Sequence, residues 1–158
     1  MLKGKNISLR NLKESDIDFL QNIENNPILW EFGSEQKIYT KQELLSYIKN
    51  SNTPLKTAKQ YRFVVDYNNT PIGFVDLFNY KKKSASVGII INEKHQNKGF
   101  AKESLKLLSD YCFNVLGLNQ LSCSVGKDNV KSNKLFLSAS YKFLKAENKL
   151  NFYIFEQQ

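Results

Sequence analysis

From Ala85 to Ile91, apolar residues at every second position (Ala85, Val87, Ile89, Ile91) alternate with Ser86, Gly88 and Ile90, the period of a strand. A polar stretch, Asn92 to Gly99, then gives way to Ala101, Leu105, Leu108, Cys112 and Leu116. Their spacing draws one apolar stripe down a helix, and Gly117 ends that helix in a left-handed turn. The strand period returns between Gln120 and Val125. Strand, helix and strand in this order predict two parallel neighbours joined by a right-handed crossover.

The flanking segments follow the same rules. Ile7-Ser8-Leu9 alternates as a short first strand, and Ser15 reads as the N-cap of a helix that carries Asp16, Asp18, Ile17, Leu20 and Ile23 to about Glu24. Asn25-Asn26-Pro27 stops it. An irregular stretch from Ile28 to Glu35 holds two aromatics and two acids. Thr40 with Glu43 makes a capping box for a second helix bearing Leu44, Leu45 and Ile48. Tyr61 to Asp66 and Pro71 to Phe78 are strands around the turn Tyr67-Asn68-Asn69-Thr70, and Asn79 to Lys83 turns the chain into the Ala85 strand. Asn129 opens a further helix with Ser132, Leu135, Phe136 and Ala139; Tyr141 to Leu144 and Leu150 to Phe155 close as a hairpin. The order is β-α-α-β-β-β-α-β-α-β-β, an α/β chain.

Composition narrows the classes without choosing a chemistry. The 158 residues contain no linker, repeat or low-complexity tract, so residues 1–158 read as a single domain. No apolar run is long enough to span a bilayer and no signal-peptide core follows Met1, which predicts a cytoplasmic protein without a membrane partner. Cys112 and Cys123 have no metal-ligand spacing and the chain has a single His, so the cysteines read as a buried, reduced pair and no metal is expected. The net charge of +8 is mostly lysine, with Arg10 and Arg62 the only arginines. Without arginine forks or interleaved aromatics a nucleic-acid role is disfavoured, while a basic surface still attracts polyanions.

The most specific stretch is the loop at the start of the striped helix. A helix N-terminus leaves backbone N–H groups unpaired and favours negative charge. Gly99 keeps a Cβ out of the way of a ligand, Ala101 keeps the helix start slim, and Lys98 and Lys102 add positive charge. The spacing is neither the Walker loop nor the glycine-rich dinucleotide turn.

The spacing Gln96-x-x-Gly99-x-Ala101 resembles the pyrophosphate loop of the Gcn5-related N-acetyltransferases, which hold acetyl-coenzyme A. Tyr61-Arg62-Phe63-Val64-Val65, Ile72-Gly73-Phe74-Val75, Gly88-Ile89-Ile90-Ile91 and Asp128-Asn129 with Ser132 extend the likeness along nearly the whole chain. It is nearest the branch of ribosomal-protein and spermidine N-acetyltransferases. The resemblance implies a mixed central sheet of about seven strands flanked by four helices, with two parallel strands that splay apart. It also implies that backbone groups of Ile89, Ile90 and Ile91 pair with the cofactor's pantetheine arm. Gln96, Asn97, Lys98, Gly99, Phe100 and Ala101, with Lys102, would take the pyrophosphate. Asn129 would contact the arm, with Ser132 and Lys134 on the same helix.

The same resemblance implies an amine attacking the thioester carbonyl directly in a ternary complex, with thiolate leaving. Two positions depart from it: Phe136 stands where relatives often place a tyrosine that protonates the thiolate, and Ser86 where they often carry a glutamate. Ser132, Tyr141 or Tyr111 is then the substitute acid, or solvent is. Trp30, Glu31, Phe32, Glu35, Asp76 and Tyr80 are the candidate substrate-binding residues, with core packing and solvated surface as the competing readings of the first four. The expected acceptor is a polyamine or other small amine, a protein N-terminus or an amino sugar. The alternative is a non-catalytic acyl-coenzyme A-binding module. The aromatic final hairpin also offers an edge for a homodimer.

Overall fold

The computed structural model describes residues 1–26 and 38–157. Along them run β1 (Leu2–Lys3), β2 (Ser8–Asn11), α1 (Ile17–Glu24), α2 (Lys41–Asn50), α3 (Leu55–Ala58), β3 (Tyr61–Tyr67), β4 (Thr70–Phe78), β5 (Ser84–Ile91), α4 (Phe100–Asn114), β6 (Gln120–Gly126), α5 (Val130–Ser138), β7 (Lys142–Glu147) and β8 (Leu150–Glu156). One mixed sheet takes all eight strands in the order β1-β2-β3-β4-β5-β6-β8-β7. The α/β class and the order of the main elements are those expected; the two-residue β1 and the single-turn α3 are additional. Both are too short to show a hydrophobic period.

The helices divide the core in two. Leu105, Leu108 and Cys112 of α4 and Phe136 of α5 pack on Val65, Val75, Val87 and Leu121. On the opposite face, Leu20 and Ile23 of α1 with Leu44 and Ile48 of α2 pack on Val64 and Phe74. Alternation along β3 and β4 assigns these side chains, since neighbours in a strand point to opposite faces. The fully buried Phe74 ring alone removes apolar surface worth about 2–3 kcal/mol.

Local chemistry sets the connections. Asn68 and Asn69 sit at φ 50° and 63°, the left-handed pair of a two-residue hairpin turn, so β3 and β4 each run one residue beyond the expected limits. Gly73 is required by a close approach, because a Cβ there would run into the Ile90 carbonyl oxygen of β5. The capping box of α2 forms as expected, with Glu43 N–H donating to Thr40 Oγ1 and Thr40 N–H to Glu43 Oε1, both at 3.1 Å.

Ser15 is not an N-cap: a 3-10 turn, Glu14–Asp16, precedes α1. The carboxylate of Asp16 does the organising, accepting the Lys13 N–H at 3.0 Å and two hydrogen bonds from Arg10 at 2.8 Å each. Arg10 Nε also donates to Asp66 at 2.7 Å. These three groups are buried together, and the one guanidinium holds both carboxylates.

Candidate active site

β5 and β6 are parallel, but they pair only at Ser84 with Gln120, Ala85 with Leu121 and Ser86 with Ser122. Beyond that rung they part. β5 stays bonded to β4 as far as Ile91, while β6 is bonded to β8 as far as Gly126. Among the described residues, the edge of β5 from Val87 to Ile91 that faces β6 therefore has no strand partner, and Ile89, Ile90 and Ile91 lie along it. Exposed strand-edge amides and carbonyls are a template for an extended ligand.

The wider end of this gap meets the loop before α4. Asn97 and Gly99 adopt φ 63° and 83°, which turns the chain sharply into the helix. Among the described residues, no backbone carbonyl accepts from the N–H groups of Asn97 to Lys102; the first carbonyl to accept in α4 is that of Gly99, from Glu103. A Cβ on Gly99 would meet nothing within 4 Å. Free amides, open space and the exposed Lys98 and Lys102 fit a pyrophosphate. Gln96 points back, its Nε2 donating to the Ile91 carbonyl at 2.9 Å.

Across the gap, Asn129 caps α5, its Oδ1 accepting the Ser132 N–H at 3.2 Å. Asn133 locks that cap from beneath. Its Nδ2 donates to the carbonyls of Gly126 and Asn129 at 2.9 and 2.7 Å, while its Oδ1 accepts from Tyr153 Oη at 2.5 Å and Asn151 Nδ2 at 3.0 Å. Lys131 reaches over to Gln96 Oε1 at 3.4 Å, joining the two sides of the gap. Sequence reasoning missed both residues. Asn133 lies one turn after Asn129, a spacing that places them on the same helical face, but its partners come from β8 and only the fold supplies them.

On the other face of the sheet, at the point where the strands part, lies a cavity of about 210 Å³ lined by Phe78, Ser86, Ser122, Ser124, Leu144, Phe152 and Ile154, among others. Ser86 Oγ and Ser122 Oγ stand 3.3 Å apart in its floor. Asp76 is opposite Gly88 on the same face, held by Arg62 Nε at 2.8 Å and Nη2 at 3.1 Å; Arg62 Nη1 also donates to Glu24 at 2.6 Å. The guanidinium rests over the Phe74 ring, 4.7 Å from its centroid. Desolvation works against the charge on Arg62, but Asp76 and Glu24 outweigh it and hold the group firmly protonated. A larger hollow of about 650 Å³ lies over the N-terminal strands around Lys3, Asn6 and Asn68, and no expected site residue lines it.

Comparison with known proteins matches this geometry. The acetyltransferase (GNAT) domain family matches residues 6–142. The chain belongs to the GNAT acetyltransferases. Spermidine N(1)-acetyltransferase of Vibrio cholerae serotype O1 is 32% identical over 133 residues, 82% of this chain and 75% of that protein. The crystal structure of spermidine N-acetyltransferase from Vibrio cholerae in complex with CoA and spermine superposes with a TM-score of 0.80 at 26% identity, covering 96% of this chain and 94% of that one. An apo nucleotide-linked sugar GNAT superposes with a TM-score of 0.82 at 27% identity, covering 98% and 89%. This GNAT enzyme is an acetyl-coenzyme A-dependent N-acetyltransferase acting on amino groups.

The structure does not bring every candidate of the GNAT site together. Tyr141 is buried in the core between Phe136 and Phe155, its hydroxyl without a hydrogen-bond partner, and burial pushes its pKa far up. Tyr111 lies near the far end of α4 against Phe63. Tyr80 packs against the core beneath α4 with Lys59 over its ring, while its neighbour Asn79 lines the cavity. Ser132 is half-buried at the start of α5, and Lys134 is exposed on the same helix. Trp30, Glu31, Phe32 and Glu35 lie outside the described residues. Cys112 and Cys123 are buried free thiols whose pKa burial pushes up to about 12, too high for a nucleophile at neutral pH. Among the described residues no group of His, Cys, Asp or Glu is arranged to hold a metal, and no helix is long and apolar enough to cross a membrane.

Proposed function

We propose that the gap between β5 and β6 holds acetyl-coenzyme A with its thioester at the Ser86–Ser122 rung, and that the amine enters from the cavity on the opposite face. The observation that carries this reading is the parting of the two strands immediately after that rung. Ile89, Ile90 and Ile91 supply backbone partners for the pantetheine arm. Gln96 to Ala101 cradle the pyrophosphate with Lys102 alongside, and Asn129 and Ser132 flank the arm from α5, with Lys134 reaching its outer end. Acetyl-coenzyme A supplies the activated acyl group: a C–N bond forms as the C–S bond breaks, the amine loses one proton and the departing thiolate gains one.

Most of the rate comes from holding the two reacting ends in line. Phe136 offers no proton, so the thiolate is protonated by solvent or by Ser132, and the amine's proton leaves through the Ser86–Ser122 hydroxyls to water. Asp76 places a carboxylate near the gap, and this favours entry of an ammonium. The relatives that act on spermidine and on a nucleotide-linked sugar support a small-molecule amine as acceptor. Reduced buried cysteines suit the cytoplasm, and the exposed β7 edge suits a homodimer.

Thiol release from acetyl-coenzyme A, followed across a panel of amines, tests the activity. Amine-dependent release is expected. Tight binding of acetyl-coenzyme A without release for any amine would leave the non-catalytic binding module in its place.

A further inference from the structure

One side chain fastens the α5 wall of the gap, and all of its hydrogen-bonding capacity is used in doing so. Asn133 makes four hydrogen bonds: its Nδ2 donates to the Gly126 and Asn129 carbonyls at 2.9 and 2.7 Å, and its Oδ1 accepts from Asn151 Nδ2 at 3.0 Å and from Tyr153 Oη at 2.5 Å. A carboxamide has two N–H donors and two lone pairs on its oxygen, so nothing of Asn133 is left over for a ligand. Burial raises the Tyr153 pKa, which keeps its hydroxyl a donor.

The partners belong to β6, α5 and β8. Gly126 is the last residue of β6, Asn129 is the cap of α5, and Asn151 and Tyr153 lie in β8. The Gly126 carbonyl also accepts the Asn129 N–H at 3.0 Å, so the turn from β6 into α5 is closed on itself as well as tied to β8. Tyr153 serves twice, because its ring stacks on Phe136 further along α5, with 6.5 Å between centroids. Held at Asn133 and again at Phe136, α5 is kept from rolling against the sheet.

What this fastening presents is Asn129. Its Oδ1 is occupied by the Ser132 N–H at 3.2 Å, while among the described residues its Nδ2 donates to nothing. That spare donor is the group able to meet a carbonyl of a ligand in the gap, and its place depends on where β6 ends and how α5 is turned. A donor fixed before the ligand arrives costs no ordering when it binds.

Resting on the acetyltransferase reading above, we propose that Asn133 is a positioning residue: it holds the end of β6 away from the free edge of β5 and sets Asn129 Nδ2 against an amide carbonyl of the pantetheine arm, without touching the cofactor itself. Its chemistry is hard to replace. Aspartate keeps the acceptor but loses both donors, leucine loses every polar contact, and glutamine is a methylene too long.

The test is calorimetry with two ligands on Asn133→Asp and Tyr153→Phe. Acetyl-coenzyme A occupies both the gap and the phosphate loop, whereas ADP carries a pyrophosphate without the arm and is measured by its displacement of acetyl-coenzyme A. Acetyl-coenzyme A affinity is expected to fall about tenfold in Asn133→Asp and about threefold in Tyr153→Phe, the worth of one or two hydrogen bonds, with ADP affinity unchanged in both. A general loosening of the fold weakens the two ligands together. That result, or unaltered acetyl-coenzyme A affinity in the folded variants, overturns the assignment.

Should Asn133→Asp fail to fold, Tyr153→Phe decides alone, since it keeps the ring on Phe136 and removes a single hydrogen bond. Parent protein that gives no heat with acetyl-coenzyme A overturns the acetyltransferase reading beneath, whereas equal binding by parent and variants overturns only the role of Asn133.

Discussion

Arg62 grips Asp76 through two hydrogen bonds, Nε to Oδ1 at 2.8 Å and Nη2 to Oδ2 at 3.1 Å, and its third contact ties Glu24 at the end of α1 to the same spot. The first helix is thereby fastened to the sheet beside Gly88, where the gap begins. Asp76→Asn keeps the shape but removes the carboxylate charge. Amine kcat/KM should fall about tenfold while acetyl-coenzyme A affinity, read by calorimetry, holds. Arg62→Lys loses the two-point grip and should lower stability by about 2 kcal/mol in a denaturant titration. Unchanged amine kinetics in Asp76→Asn would make this pair a fastening only.

Gly99 has room for a side chain but the wrong backbone for one. At φ 83°, a Cβ costs about 1 kcal/mol, and the space it would enter is the space a pyrophosphate needs. Gly99→Ala should shift the melting temperature only slightly yet weaken acetyl-coenzyme A by about tenfold or more. A loss confined to stability would count against the phosphate site.

Phe136 is buried beside Tyr141 and Tyr153, so its ring is held rigidly. Phe136→Tyr adds a hydroxyl at a position where family members often carry one. It should raise kcat for thiol release with little change in the KM for acetyl-coenzyme A, and the gain should fade at pH above the tyrosine pKa. No gain would show that protonation of the thiolate does not limit the rate.

The Tyr141 hydroxyl is buried without a partner, which costs about 1–3 kcal/mol relative to a well-paired group. Tyr141→Phe should therefore leave stability unchanged or raise it, with kcat unaltered. A tenfold fall in kcat in a stable Tyr141→Phe protein would instead place this hydroxyl in the proton path.

Acid stability should depend on Asp16. Burial raises the pKa of its carboxyl, but hydrogen bonds from Arg10 and from the Lys13 N–H outweigh that and leave it below its ordinary value. A depressed carboxylate contributes stability that is present above the unfolded-state pKa, about 4, and is lost as pH falls through the folded-state value. Unfolding free energy should drop below about pH 4, and Asp16→Asn should flatten that limb while lowering the plateau at neutral pH.

Much of this molecule was legible from side-chain spacing. The Ala85 strand and the helix after it (which ends at Asn114, before the expected Leu116), the Thr40–Glu43 capping box and the Asn68–Asn69 turn rest on local rules that operate within a few residues. Ser15 was misread because Asp16, its neighbour, is claimed by Arg10 across a buried ion cluster. No local rule weighs a cap against a partner that arrives from another strand.

The order of apolar and polar residues determined which segments became strands and helices, and the loop Gln96 to Ala101 marked where an anion would bind, because helix ends and glycine conformations are properties of adjacent residues. Which side chains share the cavity was decided only when β5 and β6 parted and β8 came in beside β6. Ser86 with Ser122, Asp76 with Arg62, and Asn133 with Tyr153 are distant in the chain; their meeting follows from register and sheet order, which depend on how the whole core packs.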